Sequence, residues 1–351
     1  MTKVFFTSKP DDIVQLFDAA GFSKIISKDD FVALKVHFGE RGNKAFVKPD
    51  KWTPIVKKVQ GLGGRPFWTD SNTLYRGSRG DTLNHLSTAH EHGFTFEKTG
   101  AHAIIADGLE GKSYAEIPVN YKHFQKISVG SLIMEADAII ALSHFKGHEV
   151  TGFGGAIKNI GMGLASRAGK QQMHADLKPV VDKKACTSCG RCIKWCPQDA
   201  IHWTSDKKAE VDLSKCIGCG QCVVTCRFDA ISISWAGEPD SVQEKLAEYA
   251  AGVGAHFKNK IAFINFITDV SENCDCYGFN SEPIVPDIGV LASFDPVALD
   301  QACADMVNKS PGRIKGADKF RAIWPDVDWT VQLKHAEKIG LGRRDYELIK
   351  L

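Results

Sequence analysis

Short β-branched and aromatic runs alternate with stretches of helical periodicity along both arms of this chain. In the N-terminal arm the pattern predicts strands over Val4–Thr7, Phe31–Phe38, Arg65–Asp70, Ala103–Ala106 and Ala138–Ser143. Helices are predicted over Asp11–Ala20, Pro54–Gln60, Thr82–His92 and Gly155–Met162. In the C-terminal arm, Val242–Val253 and Pro296–Val307 read as helices, and Ile261–Thr268 and Ile288–Ser293 as strands. Alternation of this kind argues for an α/β domain with a largely parallel sheet. The C-terminal arm alone has too few strands for an independent sheet. The expected organisation is therefore one α/β domain in two parts, residues 1–180 and 239–351, interrupted by a module at 181–238.

That module holds eight of the eleven cysteines, in two runs that superimpose at an offset of thirty positions. Cys186, Cys189, Cys192 and Cys196 map onto Cys216, Cys219, Cys222 and Cys226, and Asp199-Ala200-Ile201 maps onto Asp229-Ala230-Ile231. Each run reads C-x2-C-x2-C-x3-C, the spacing of bacterial two-cluster ferredoxins, in which the fourth cysteine of each run binds the other run's cluster. The expectation is an α+β ferredoxin-like module with two 4Fe–4S clusters. Cys186, Cys189, Cys192 and Cys226 would hold one, and Cys216, Cys219, Cys222 and Cys196 the other. Zinc knuckles usually space their two C-x-x-C pairs farther apart and need only four ligands. The first run ends in Cys196-Pro197 but the second in Cys226-Arg227. A guanidinium there would raise a cluster's potential if it faced the cluster, and do nothing if it faced water.

Charge changes the picture modestly. The net charge is +2 with 25% charged residues, so no global field favours nucleic acid or an anionic membrane. Residues 183–240 carry eight Lys/Arg against seven Asp/Glu, which suits a module serving its own chain better than an acidic shuttle ferredoxin. No apolar run approaches a membrane span, and no secretory pattern is read at the N-terminus. With reduced cysteines these features lead to a cytoplasmic expectation.

A second candidate site comes from polar residues placed just after predicted strands: Lys35-Val36-His37, Asp70-Ser71-Asn72, His144-Phe145-Lys146-Gly147-His148, Cys274-Asp275-Cys276 and Asp295. Open α/β sheets bind ligands outside the carboxyl ends of their strands. Cys274 and Cys276 are too close in sequence for an unstrained mutual disulfide. They are candidate ligands for an additional metal ion or cluster, with His144 and His148 as partners and His174 as a further one. The bland alternative is two loop cysteines without a ligand. Cys303 shares a helical face with Leu299, Ala302 and Met306, which points to core packing. The glycine-rich run 152–163 matches neither a P-loop nor a dinucleotide fingerprint. It allows anion binding at a helix start, with Lys158 adding charge, or simply close backbone packing.

The stretches HFKGHEVTGFGGAIKNIGMG (144–163), ASRAGKQQMH (165–174), CDC (274–276) and PIVPDIGVLASFDPVALDQA (283–302) resemble the bacterial and archaeal family called domain of unknown function 362, in its ferredoxin-containing form. The resemblance implies an interrupted α/β domain with two 4Fe–4S clusters. It also implies one shared site for His144, Lys146, His148, Lys158, Asn159, Cys274, Cys276 and Asp295, without naming a substrate. The functional expectation is an electron-transfer protein, with oxidoreductase chemistry favoured. In it His144, Lys146, His148 and Lys158 act on a small anionic substrate or metal in the strand-end cleft. The alternative is a non-catalytic electron carrier or assembly partner of a larger redox enzyme. A redox partner protein fits either case, a homodimer is left open, and a cluster-based DNA-binding sensor lacks both motif and basic face.

Overall fold

Strands built from apolar residues on both faces form the centre of the molecule, as a parallel sheet covered on both sides requires. The structure, a computed structural model, describes residues 1–75, 77–174, 179–196, 198–216, 221–228, 230–233 and 239–351. Its main sheet has eight strands: β1 (Thr2–Thr7), β2 (Phe31–Lys35), β3 (Arg65–Asp70), β4 (Ala103–Ile105), β5 (Ala138–His144), β6 (Ile261–Ile267), β7 (Gly289–Ser293) and β8 (Tyr346–Lys350). The order is β8-β1-β7-β6-β5-β2-β3-β4. All neighbours are parallel except around β7, which runs antiparallel to β1 and β6. This is the α/β class with a largely parallel sheet that the alternation predicts. Strands from both arms of the chain share the one sheet.

Strand periodicity assigns each side chain to a layer. Ala33, Ile139, Ala141, Phe263 and Leu291 join a core with the helices Ala156–Gly161, Pro239–Phe257, Pro296–Lys309 and Thr330–Lys338. Val32, Leu34, Ile140, Leu142, Ile264 and Ala292 face the opposite core, with Ile13–Ala19 and Pro49–Gly61. The helix predicted from Pro54 begins at Pro49, because proline at the first helical position loses no bond. β8 and the helix Thr330–Lys338 are additions to the predicted set. β8 lies at the sheet edge with a mixed YELIK sequence, so it carries no strong alternation.

The chain passes from β2 through β3 to β4 on one side, then returns to place β5 on the other side of β2 and continues to β6. The β2–β5 boundary is therefore a topological switch point, where open sheets place their ligands. The reversal of β7 corrects the expectation for Asp295. Ser293 pairs with Phe263 near the start of β6, so Asp295 lies at the opposite end of the sheet from the other strand-end residues. There it caps the helix Pro296–Lys309, accepting from the backbone N–H of Val297 and Ala298.

Residues 179–233 are built from much shorter elements. Pro179–Val181 pairs antiparallel with Ile231–Ile233, and Ile201–Trp203 with Ala209–Val211. Two short helices, Arg191–Lys194 and Gln221–Thr225, start at the same thirty-position offset as the cysteine runs. The halves also exchange bonds: Asp182 N–H donates to the Ala230 carbonyl and Asp212 N–H to the Ala200 carbonyl, each at 2.7 Å. Leu74, from the loop after β3, packs into this region with Cys186, Cys192 and Cys222. The helix Arg167–Met173 lies against Gln221–Thr225. Among the described residues, no helix is long and apolar enough to cross a membrane.

Candidate functional site

At the switch point, β2 and β3 end in a buried ion pair. Lys35 Nζ lies 3.0 Å from Asp70 Oδ1 and donates to Asn159 Oδ1 at 2.7 Å and to the Val36 carbonyl at 2.8 Å. Asn159 returns donors to the carbonyls of Lys35 and Leu142 and to Ser143 Oγ, which ties β2 to β5. Burial would raise the Asp70 pKa, but Lys35, His85, His37 and Arg79 together hold it well below the ordinary carboxylate range. Gly163 permits this approach, since a Cβ there would stand 2.5 Å from Lys35 Nζ.

Arg79 extends the network. Its guanidinium reaches Glu40 Oε2 at 3.3 Å, Asp70 Oδ2 at 3.4 Å and the Tyr75 hydroxyl, and it is almost fully buried. Glu40 is held by Asp275, whose backbone carbonyl accepts from Glu40 N–H at 2.9 Å. Behind it lies another buried group, in which Lys170 Nζ donates to Ser71 Oγ at 2.5 Å and to the Ala165 carbonyl at 2.6 Å. Burial lowers the Lys170 pKa to about 8 and raises that of Asp107 to about 6.

Beyond the strand tips sits the cysteine pair. Cys274 Sγ and Cys276 Sγ are 3.1 Å apart, and Lys158 Nζ donates to Cys274 Sγ at 3.5 Å. The histidine beside them is His37, with Nε2 at 3.4 Å from Cys276 Sγ. The ligand atoms of His37, Cys274 and Cys276 lie within 4.8 Å of one another, close enough to share a metal ion. The second ring nitrogen argues for another role. His37 Nδ1 accepts the Gly39 N–H at 3.1 Å, so in the neutral ring the proton sits on Nε2 and points at the sulfur. Burial, reinforced by Arg79, lowers the His37 pKa to about 3, so the ring is neutral. The two thiols share a proton unequally. The hydrogen bond from Cys274 pulls the Cys276 pKa well below the thiol range, and Lys158, Arg79 and Tyr75 act in the same direction against burial. The same bond, with burial, pushes Cys274 up to about 12.

The histidines expected as partners are placed differently. His144 turns Nδ1 to the Asp275 carboxylate at 2.9 Å and Nε2 to the Thr268 carbonyl at 2.7 Å, so both ring nitrogens face acceptors and neither faces the cysteines. Lys146 pairs with the same carboxylate at 3.3 Å and donates to the His144 carbonyl at 3.1 Å. His144, Lys146 and Asp275 thus brace the CDC turn. His148 Nδ1 accepts from the backbone N–H of Val150 and Thr151, and burial with Lys158 and Lys146 nearby keeps the ring neutral. His174 ends the helix Arg167–Met173, and burial lowers its pKa to about 4. The glycine-rich run serves close packing. The helix start it leads into is capped by Asp300, which accepts from Ala156 and Ile157 N–H at 2.7 and 2.9 Å, and a Cβ on Gly155 would stand 2.2 Å from that carboxylate.

Cys186, Cys189, Cys192 and Cys226 line one pocket, together with Trp203 and Phe228. The Cys192 thiol is pushed up to about 11, first by burial and then by Cys226, Cys189 and Cys186 around it. Cys196 Sγ accepts the Ala200 N–H at 3.2 Å. Cys216 and Cys222 are described, and Cys219 lies outside the described residues. Arg227 forms an ion pair with Glu110, so its charge is matched by the α/β body. Of these groups, Glu40, Tyr75, Arg79, Lys170 and Asp300 are additions to the predicted sites. The loop YRGSRG after β3, with two arginines at a strand end, is the local signal that could have flagged Tyr75 and Arg79.

No curated protein matches the chain. Among solved structures, the lactate racemase apoprotein from Thermoanaerobacterium thermosaccharolyticum aligns at 14% identity and a TM-score of 0.40, covering 77% of this chain and 51% of that one. A structural-genomics protein from Thermotoga maritima aligns at 11% identity and a TM-score of 0.41, covering 83% of this chain and 58% of that one. The chain thus spans little more than half the length of either. A family profile matches residues 32–305, which takes in β2 through β7 and most of the helix after it, and on that match the chain belongs to the family described as Domain of unknown function (DUF362).

Proposed function

We propose that this protein is an iron–sulfur electron-transfer protein, in which residues 181–238 form a two-cluster ferredoxin-like module inserted in the α/β domain. Electrons pass between that module and redox chemistry at the strand-end site. The observation that carries the reading is the pocket lined by three cysteines of the first run and the last cysteine of the second. A cube held in the ferredoxin manner needs that crossing. The buried Cys192 thiol, crowded by three others, also fits a donor set meant to be deprotonated and bound rather than left free. A 4Fe–4S cluster, when bound, carries single electrons at low potential.

The chain's own residues supply the rest. The Ala200 N–H on Cys196 Sγ supplies a donor that favours added negative charge at that sulfur. Leu74 links the cysteine region to the loop that carries Tyr75 and Arg79, and Arg79 reaches Glu40 and Asp70 at the strand ends. In the cleft, Lys158 presents positive charge to an anionic substrate or thiolate, while Arg79 is engaged by Glu40 and Asp70 and Lys146 by Asp275.

Anaerobic purification followed by iron and sulfide analysis and electron paramagnetic resonance tests the reading. About eight iron and eight sulfide per chain, with two interacting reduced-cluster signals, are expected for two cubes. A zinc-loaded or iron-free protein after anaerobic reconstitution overturns it. Loss of a single-turnover redox change in Cys276→Ser, with both cluster signals intact, would place chemistry in this chain rather than in a partner enzyme.

A further inference from the structure

The cysteine pair is held in a form that a passive loop does not need. Tyr277 N–H bonds the Cys274 carbonyl at 3.1 Å, and the resulting turn brings both sulfurs to one side. Donors then converge on them. His37 Nε2 faces Cys276, Lys158 Nζ faces Cys274, and the Cys274 thiol donates to Cys276. Burying a thiolate without donors is costly. Burying these donors around two neutral thiols would be costly too, because the Lys158 ammonium, whose charge acts on Cys276 as well as on Cys274, would then have no thiolate beside it. The arrangement balances when one sulfur is a thiolate and the other a thiol. Metal ligation fits less well, since a histidine ligand must offer a lone pair where His37 carries its proton.

We propose that Cys274 and Cys276 are a redox-active dithiol–disulfide couple that turns two single-electron deliveries into one electron pair. On reduction the Sγ–Sγ bond breaks, two electrons enter, one proton is taken up at Cys274 Sγ, and Cys276 is released as the thiolate. On oxidation the bond re-forms, and the proton and the electron pair pass to a two-electron acceptor of the disulfide class, oxidised dithiothreitol in the test below. The reductant is a low-potential one-electron donor acting twice, which on the function proposed above is the cluster pair of the same chain. The one-residue spacing makes the disulfide ring strained. Strained disulfides are the more oxidising ones and serve as catalytic rather than structural bonds. His37 and Lys158 are positioning residues that stabilise the reduced form.

The test uses the full chain, poised in dithiothreitol redox buffers, quenched with an alkylating reagent and read by mass spectrometry. The peptide holding both cysteines is expected to lose two alkyl groups together, in one two-electron transition, and to be lighter by two hydrogens when oxidised. Alkylation of both thiols at every poise overturns the couple. So does one bound metal per chain that is lost in Cys276→Ser. His37→Gln, or Lys158→Met if the first variant is poorly folded, is expected to shift the equilibrium about tenfold toward the disulfide, about 30 mV for two electrons. An unchanged potential in both variants removes their role. Finally, a reduced viologen should reduce the couple faster in the intact chain than in Cys192→Ser, and equal rates overturn the link to the clusters. The first readout needs no iron, so a chain without clusters would still report on the couple, and the two proposals fail separately.

Discussion

The cysteine-rich region and the strand-end cleft place thiols in surroundings of very different strength. The cleft rests on an eight-stranded sheet with a large apolar core on each face. The cysteine region is bounded by three-residue strands, and three cysteines stand among the few buried side chains of its own core. Small cores need staples, whether disulfides or metals. The cleft can therefore persist without any ligand, whereas on the proposed function the cysteine region depends on the clusters its thiols would hold.

The largest effect follows from that contrast. Removing the proposed clusters, or changing Cys192→Ser, should collapse amide protection across 179–233 while the main sheet keeps its own. Hydrogen exchange or limited proteolysis would read this as cuts confined to the cysteine region, because local stability follows buried apolar contact and bound metal. Equal protection with and without iron would show that the region stands on its own core, and the comparison would break.

In the cleft the corresponding weak point is a charge. Asp70→Asn leaves Lys35 and Arg79 buried with their common partner gone. Losing one partner of a buried ion pair costs roughly 3–5 kcal/mol, which urea melts would show as a large drop in midpoint at unchanged slope. Asp70 also fixes a sign. Its pKa is depressed in the folded state, so its contribution is fully present above the ordinary carboxylate pKa and is lost as pH falls through the lower folded value.

The two regions also differ in how far sequence could describe them. The cysteine runs are local: spacing alone brings Cys186, Cys189 and Cys192 together, and the repeat offset points to Cys226. The cleft is assembled across the chain. His37 meets Cys276 over 239 positions, and Lys158 meets Cys274 over 116. Strand ends could be read from apolar runs, so Lys35, His37 and Asp70 were visible as residues near a site. Which histidine faces the sulfurs depends on ring orientation and on which backbone N–H each ring accepts, and neither leaves a periodic trace. The misplacement of Asp295 has a similar origin, because apolar alternation identifies β7 as a strand but carries no information about its direction.

Asp300 tests the cleft's support more gently. Burial raises its pKa to about 6, against three donors that pull it down. The folded protein therefore holds this proton more tightly than the unfolded chain. Stability should fall as pH rises from about 4 to 6, by an amount on the order of 3 kcal/mol for a shift of about two units. Asp107, raised to about 6 by burial, acts in the same direction. Asp300→Asn should flatten its share of that slope. A variant that tracks the parent across the window would mean that Asp300 is ionised in the folded state throughout.

The smallest effect belongs to the seam between the two regions. Arg227 follows Cys226, pairs with Glu110 of the α/β body, and is 58% exposed. Exposed pairs contribute about 0–1 kcal/mol, so Arg227→Ala should leave the melting midpoint nearly unchanged. Its effect on redox should also be small, because the exposed charge is screened by water, although removing the guanidinium leaves the Glu110 carboxylate uncompensated. Redox-monitored resonance spectra of Arg227→Ala and Glu110→Gln separate the contributions. If the pair is neutral toward the proposed clusters, Arg227→Ala uncovers the Glu110 carboxylate and lowers the nearer midpoint slightly, while Glu110→Gln uncovers the guanidinium and raises it. Unchanged midpoints in both variants would show that water screens the pair from the proposed clusters, and the seam would then be a hinge pin rather than a tuning element.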